Sequence, residues 1–341
     1  MASMIMLPDG KMVGRAVYDW GIGAPLQAIR VAGDDFLLWV GDQTGAVPAF
    51  ATRIAQTFGE HTFASLRKLK VGVVGASGTG SVIAEILVRN GIGHIVYVDP
   101  DYIEDKNLNR ILNSKAQDAH DKLAKVDVQK RAAEAMNFGT VVHVHPYDLM
   151  DMRALLDLST CDVIFGCMDS VDGRHLLNKL ASAFLIPYID IGVRLDADGQ
   201  GGINSIWLAI HTLQPGGSSL KSRKVYDQAD LEAAFLYRSS PLEYARLEKE
   251  GYVKGVPVDR PAVISVNMEA SARAANEFLA RIHGFRIEPN SKFAIRRISL
   301  TDEDASMNEV DGSPCPEMAR VLGSGDKRPF LGMMALEAGA C

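Results

Sequence analysis

The chain has 341 residues, 47% hydrophobic and 23% charged, which suits a globular protein with a sizeable core. Its 42 acidic residues outnumber 36 basic ones for a formal net charge of −6, so nothing global points to a nucleic-acid partner, whose phosphates need a basic face. No apolar run approaches the roughly 20 residues that span a bilayer; the opening MASMIMLPDGKM lacks the pattern of a secretory leader, and four scattered cysteines make no disulfide framework, so a reducing, cytoplasmic setting without a membrane role is expected.

Residues 1–50 are the least regular stretch, an N-terminal appendage in which FLLWV (36–40) looks like a strand. VPAFATRIAQTFGEHTFASLRKL (47–69) predicts one or two helices leading into a sheet. KVGVVG, from Lys70, is a short apolar run ending in glycine; GASGTG (75–80) and a helical pattern in SVIAEILVRNG follow it, the opening of a nucleotide-binding βαβ unit. HIVYVD gives the second strand, ending at Asp99, and further strands are expected near 140–145, 162–169 and 187–193. Helices LAKVDVQKRAAEAM, MRALLDL and GRHLLNKLASAFL lie between them. Alternating strands and helices imply an α/β fold, a Rossmann-like doubly wound, mostly parallel sheet covered on both faces. Residues 195–260 read as loop-rich and polar around one strand, INSIWLAI. Helical periodicity returns from Ala262, and the tail after Thr301 is mixed.

Glycines at a strand-to-helix turn let a phosphate approach the backbone and the free N–H groups of the helix N-terminus. Gly75, Ser77, Gly78 and Gly80 form such a turn, although a glycine-rich turn is also found as a mere tight turn. Asp99, about 20 residues on, matches the acidic residue that bonds ribose hydroxyls in dinucleotide sites. These two features alone would suit an NAD-dependent oxidoreductase. The next segment changes the balance: DPDYIEDKNLNR sets Asn107 and Arg110 just beyond Asp99, Lys125 follows, and MDSVDGR puts Asp169 at another strand end. Two cations and a carboxylate converging on the carboxyl edge of a sheet suit a triphosphate with Mg²⁺ better than a nicotinamide.

Taken together, the glycine turn, strand-end Asp, N-L-x-R, downstream Lys and strand-end Asp resemble the ThiF/MoeB/HesA and ubiquitin-activating enzyme family, from about Arg53 to about Asp326. The resemblance implies an adenylation domain over 51–341, with its nucleotide half at about 69–195 and a substrate channel and C-terminal part at about 196–341. It also implies ATP-dependent adenylation of the C-terminal carboxylate of a ubiquitin-like or sulfur-carrier protein, or of a peptide. Asp99 would then hold the ribose, Asn107 and Arg110 would sit at the phosphates, Lys125 would contact the triphosphate and Asp169 would position Mg²⁺. Arg53 matches an arginine that such enzymes send into the partner subunit's site, which implies a homodimer. A non-catalytic nucleotide-binding scaffold is the other reading that the resemblance leaves open.

Three features depart from the family. Ser77 replaces a glycine, and nucleotide binding is expected to survive it. Where many relatives carry two C-x-x-C pairs, this chain has Ser219, Ser222, Cys315 and Met318, so no structural zinc is expected. No cysteine lies between Cys167 and Cys315, so adenylation without an obligatory enzyme thioester is expected, Cys315 being the remaining internal candidate.

Overall fold

The computed structural model describes residues 2–8, 11–26, 28–40, 46–253 and 263–337. The chain opens on two small antiparallel units: a sheet of β1 (Ala2–Met6), β2 (Met12–Tyr18) and β3 (Gly21–Pro25), then a hairpin of β4 (Ala28–Ala32) and β5 (Phe36–Val40). Of these only β5 is legible in the sequence. Helices α1 (Thr52–Phe58) and α2 (Glu60–Leu66) break at Gly59, whose φ of 84 favours glycine.

The main body alternates: β6 (Lys70–Val74), α3 (Gly78–Arg89), β7 (His94–Val98), α4 (Ala116–His120), α5 (Lys125–Met136), β8 (Val141–His145), α6 (Met152–Leu158), β9 (Val163–Gly166), α7 (Val171–Phe184) and β10 (Tyr188–Ala197). Strand β11 (Ile203–Leu213), α8 (Gln228–Ser239), α9 (Pro241–Lys249), α10 (Ile264–Ile282), β12 (Ile295–Ser299), β13 (Met307–Glu309) and α11 (Pro316–Ala319) complete it. Ala262, where the sequence places the start of a helix, lies outside the described residues.

Eight strands form one sheet in the order β13-β12-β11-β10-β9-β6-β7-β8. β10, β9, β6, β7 and β8 run parallel; β11, β12 and β13 extend the sheet antiparallel. β7 and β9 are apolar runs because both faces are covered. On one face Val71, Val73 and Phe165 pack with Ile83 and Leu87 of α3 and Ala270, Ala274 and Phe278 of α10. On the other, Val74, Val96 and Ile164 meet Leu155 of α6 and Leu176 and Leu180 of α7. The β4–β5 hairpin is fastened to this body by Arg281, fully buried on α10, which donates to the Asp34 carbonyl at 2.6 Å, and by Asn290, which donates to Asp35 at 2.7 Å.

The described part of 195–260, residues 195–253, holds more regular structure than the one strand expected. β10 runs on to Ala197, and α8 and α9 occupy 228–249. Pro241 stands in the first turn of α9, where its missing N–H costs nothing. Strand β12 is also absent from the sequence reading.

Candidate functional site

β6 and β9 are neighbours, yet the chain leaves β6 toward β7 on one side and returns to β9 on the other. Their carboxyl ends therefore flank a topological switch point, where open α/β sheets bind ligands. A cavity of about 890 Å³ lies there, within the range of small-molecule sites. Gly75, Ser77, Gly78, Asp99, Asn107, Arg110, Lys125 and Asp169 all line it.

The turn after β6 needs its glycines for contact as well as conformation. Gly75 has a φ of 91, and a Cβ on it would lie 2.6 Å from the Cys167 carbonyl oxygen. A Cβ on Gly80 would lie 1.7 Å from the Gly75 carbonyl oxygen, so Gly80 lets α3 sit against the strand end without itself lining the cavity. Ser77 has a φ of −90, open to any residue, and caps the 12-residue α3 without a side-chain capping bond.

Asp99 is buried beneath this turn. Its Oδ2 accepts the Ala76 N–H at 2.6 Å and its Oδ1 the Asp101 N–H at 2.9 Å. Burial pushes its carboxyl up, against the Lys125 charge and those two amides. Asn107, also buried, accepts the Glu104 N–H at 3.1 Å, which fixes the short helical turn that carries Arg110. Arg110 donates to the Lys106 carbonyl at 2.6 Å, and its Cδ is 3.6 Å from where a Gly78 Cβ would stand. Lys125, the first residue of α5, donates to Asp101 Oδ2 at 2.6 Å. Asp169 is exposed in the loop between β9 and α7.

Arg53 is not in this constellation. It lies exposed on α1, 3.1 Å from Gln56 Oε1, and does not line the cavity of its own chain. Conversely, Asn267 and Arg238 line the cavity unannounced. Asn267 is a buried polar residue on α10, its Nδ2 2.2 Å from where a Gly78 Cβ would stand. Arg238, on the unforeseen α8, donates to Asp172 Oδ2 at 2.5 Å and also pairs with Asp148.

The segments matching the family's zinc knuckle do meet: the Cys315 N–H donates to the Gly217 carbonyl at 3.0 Å. Ser219 and Ser222 bond each other, the Ser219 N–H reaching Ser222 Oγ at 2.8 Å. Beside them Arg223, its side chain 2% exposed, donates to Ser218 Oγ, the carbonyls of Thr212 and Ala294, and Asp311 Oδ1. No group of three or more His, Cys, Asp or Glu able to hold a metal occurs among the described residues. Cys161, Cys167 and Cys315 are free and buried, and burial pushes the thiols of the first two up; Cys341 lies outside the described residues. No helix among the described residues is long and apolar enough to cross a membrane.

The chain is similar to known proteins in sequence and in fold. The ThiF family model matches residues 50–239, more than half of the chain and the part that carries every expected site residue. The adenylyltransferase and sulfurtransferase MOCS3 of Drosophila persimilis is 31% identical over 148 residues, covering 43% of this chain and 32% of the relative. Ubiquitin-like modifier-activating enzyme 5 of Xenopus laevis is 28% identical over 147 residues, covering 40% and 36%. The chain thus spans about a third of the length of these curated relatives. In structure it is similar to E. coli MccB with ATP, at a TM-score of 0.56 and 19% identity, over 79% of this chain and 74% of that one, a likeness of fold.

Proposed function

The chain belongs to the ThiF family, and from that premise we propose that it is an adenylyltransferase that activates a carboxyl terminus with ATP. The observation that carries this reading is a single cavity at the switch point that gathers the glycine turn, Asp99, Asn107, Arg110, Lys125 and Asp169. Residues 51–341 would act as one adenylation domain.

A carboxylate oxygen of the acyl substrate attacks the α-phosphorus of ATP, and the bond from that phosphorus to the bridging oxygen breaks. Pyrophosphate leaves with the electron pair, and acyl-adenylate remains. No protein nucleophile is needed, so buried cysteines are no obstacle. In-line positioning and cations where charge develops supply the rate. The turn and the N-terminus of α3 would cradle phosphate, Asp99 would hold the ribose, and Asn107, Arg110 and Lys125 would face the phosphates. An exposed carboxylate lining the cavity fits Mg²⁺, which is held through one or two carboxylates with phosphate and water, and Asp169 would hold it. Bound there, the ion neutralises phosphate charge. Arg53 would serve a second copy's site in a homodimer. The acyl partner would be a ubiquitin-like or sulfur-carrier protein or a peptide, in the cytoplasm.

ATP–pyrophosphate exchange with Mg²⁺ and candidate acyl termini tests this. Exchange that depends on a free carboxyl terminus and is lost in Asp169→Ala is expected; near-normal exchange in that variant would refute the assignment.

A further inference from the structure

A separate cavity, of about 390 Å³, lies at the opposite edge of the sheet from the nucleotide cavity and is within the range of small-molecule sites. It is bounded by the amino ends of β9 and β10, the carboxyl ends of α7 and α10, and the β4–β5 hairpin laid over them. The hairpin is pinned at its turn through Asp34 and Asp35, and at Arg30, whose Nε pairs with Asp162. Between these fixings it does not close on the body. One face of the hairpin carries Arg30 and Ala32 opposite Leu38 and Phe36 in register, and all four line the cavity. The four residues of β9, about 13 Å at a strand's rise, separate this cavity from the one that Asp169 lines. An occupant here is therefore not the acyl end that meets ATP.

The lining is divided. Phe36, Leu38, Leu69, Val163, Ile186 and Phe278 give it an apolar interior, while Arg30, Ser159, Thr160 and Asp162 gather on one side, where β4 meets the loop before β9. The polar groups of that loop are already spent. Ser159 Oγ donates to the Leu156 carbonyl at 2.7 Å, and Thr160 Oγ1 to the Asp157 carbonyl at 2.7 Å. The Asp162 carboxylate, its side chain 4% exposed, takes the Lys70 N–H at 2.8 Å on one oxygen and Arg30 on the other. Arg30 differs from them. Its side chain is half exposed, and among the described residues only its Nε is engaged, which leaves the Nη1 and Nη2 fork for a ligand.

We propose that this cavity binds a small monocarboxylic acid with an apolar body, its head on Arg30 and its body among Phe36, Leu38 and Phe278. A site whose unspent groups are donors recognises an acceptor, and a guanidinium fork matches a carboxylate with two parallel hydrogen bonds. A dianion such as a phosphate ester is opposed by Asp162 on the same arginine, and a cation is opposed by Arg30 itself. An alcohol keeps the apolar burial but offers one neutral acceptor in place of two charged ones.

The probes are the straight-chain acids from butyrate to octanoate, with octanol beside them, titrated into the full chain by calorimetry. Affinity is expected to rise about fourfold per methylene along the acids until the cavity is full. Octanoate is expected to bind at least about tenfold tighter than octanol. Ala32→Phe fills the space from the hairpin side and should abolish octanoate binding. Its melting and ATP affinity should stay unchanged, because the two cavities share no lining residue. Arg30→Met keeps the apolar stem and should bring octanoate down to the octanol affinity. Where loss of the Asp162 partner unfolds that variant, Ala32→Phe, which leaves the pair in place, decides the site by itself. Octanoate that fails to bind, binds no tighter than octanol, or binds Ala32→Phe as well as the natural protein overturns the proposal.

Discussion

Lys125 Nζ donates to Asp101 Oδ2 at 2.6 Å, and the two ends of this pair sit in different media: the lysine side chain is 7% exposed, the aspartate 65%. The consequences of breaking it are therefore unequal. Lys125→Met leaves a carboxylate that water can solvate and an apolar stem of similar shape. Melting should change little, while exchange falls about 10²–10³-fold through loss of a preorganised cation. Asp101→Asn leaves a nearly buried ammonium without its carboxylate partner, so both exchange and melting temperature should fall. Equal melting of the two variants would contradict this account.

The glycine turn makes a second contrast. Alanine at position 80 meets backbone, 1.7 Å from the Gly75 oxygen, whereas at position 78 it meets the far end of a side chain, 2.2 Å from Asn267 Nδ2. Backbone cannot swing aside. Gly80→Ala should cost about 3 kcal/mol or more and abolish ATP binding, while Gly78→Ala should fold and bind ATP more weakly. Calorimetric unfolding and ATP titration check both, and a stable, ATP-binding Gly80→Ala protein would refute the close approach of Gly80 to the Gly75 carbonyl.

Much of this site was legible because it lies on spacing along short, strongly patterned units. β6, β7 and β9 are buried on both faces and so read as apolar runs, and the glycine turn, Asp99, Arg110, Lys125 and Asp169 follow strand ends at fixed offsets. Asn267 and Arg238 come from segments more than 60 residues downstream of Asp169, and their arrival depends on packing that no spacing encodes. β12 escaped because IRRIS puts two arginines toward partly open surface. α8 and α9 escaped because their stripes are narrow, Tyr244 being the one buried residue of α9.

Arg223 takes the central place in the segment where relatives hold zinc. With its side chain 2% exposed and four acceptors around it, Arg223→Ala takes one donor from the Thr212 and Ala294 carbonyls and removes the ion pair of Asp311, which keeps only the Ser218 and Gly312 donors. Asp311 keeps some contact with water, so a loss of about 3 kcal/mol is expected, the low end for a broken buried pair. Metal analysis of protein purified without an affinity tag should find no stoichiometric zinc. Unchanged stability of the variant, or a full equivalent of zinc, would refute this description of the segment.

Arg53 gives a test of assembly. If it completes the partner's site, Arg53→Ala and Asp169→Ala proteins, each inactive alone, should recover about a quarter of normal exchange after subunits are mixed, since half the dimers then hold one intact site of two. Recovery absent despite proven subunit exchange would remove Arg53 from the mechanism.

Acid should weaken the fold through histidines before it reaches the paired carboxylates. His211 is held near 3 by burial and by Arg223, Arg297 and Arg174, against 6.5 when unfolded. Burial also lowers His175, though Glu317 opposes it and Lys179 and Lys221 add to it. A histidine kept neutral in the fold binds its proton in the unfolded chain first, so between these values the unfolded state holds more protons. Stability is then complete above pH 6.5 and falls as pH drops toward 3, by at most about 1.4 kcal/mol per pH unit for each site. Asp157 runs the same way but lower: burial raises it, yet hydrogen bonds from Lys70, His145 and His143 hold it at about 2, so its share is lost only below 3.8. Urea unfolding from neutral pH down to about pH 4.5 should show the decline, and His211→Asn should roughly halve its slope. A natural protein equally stable across that range would mean that neither imidazole is held neutral.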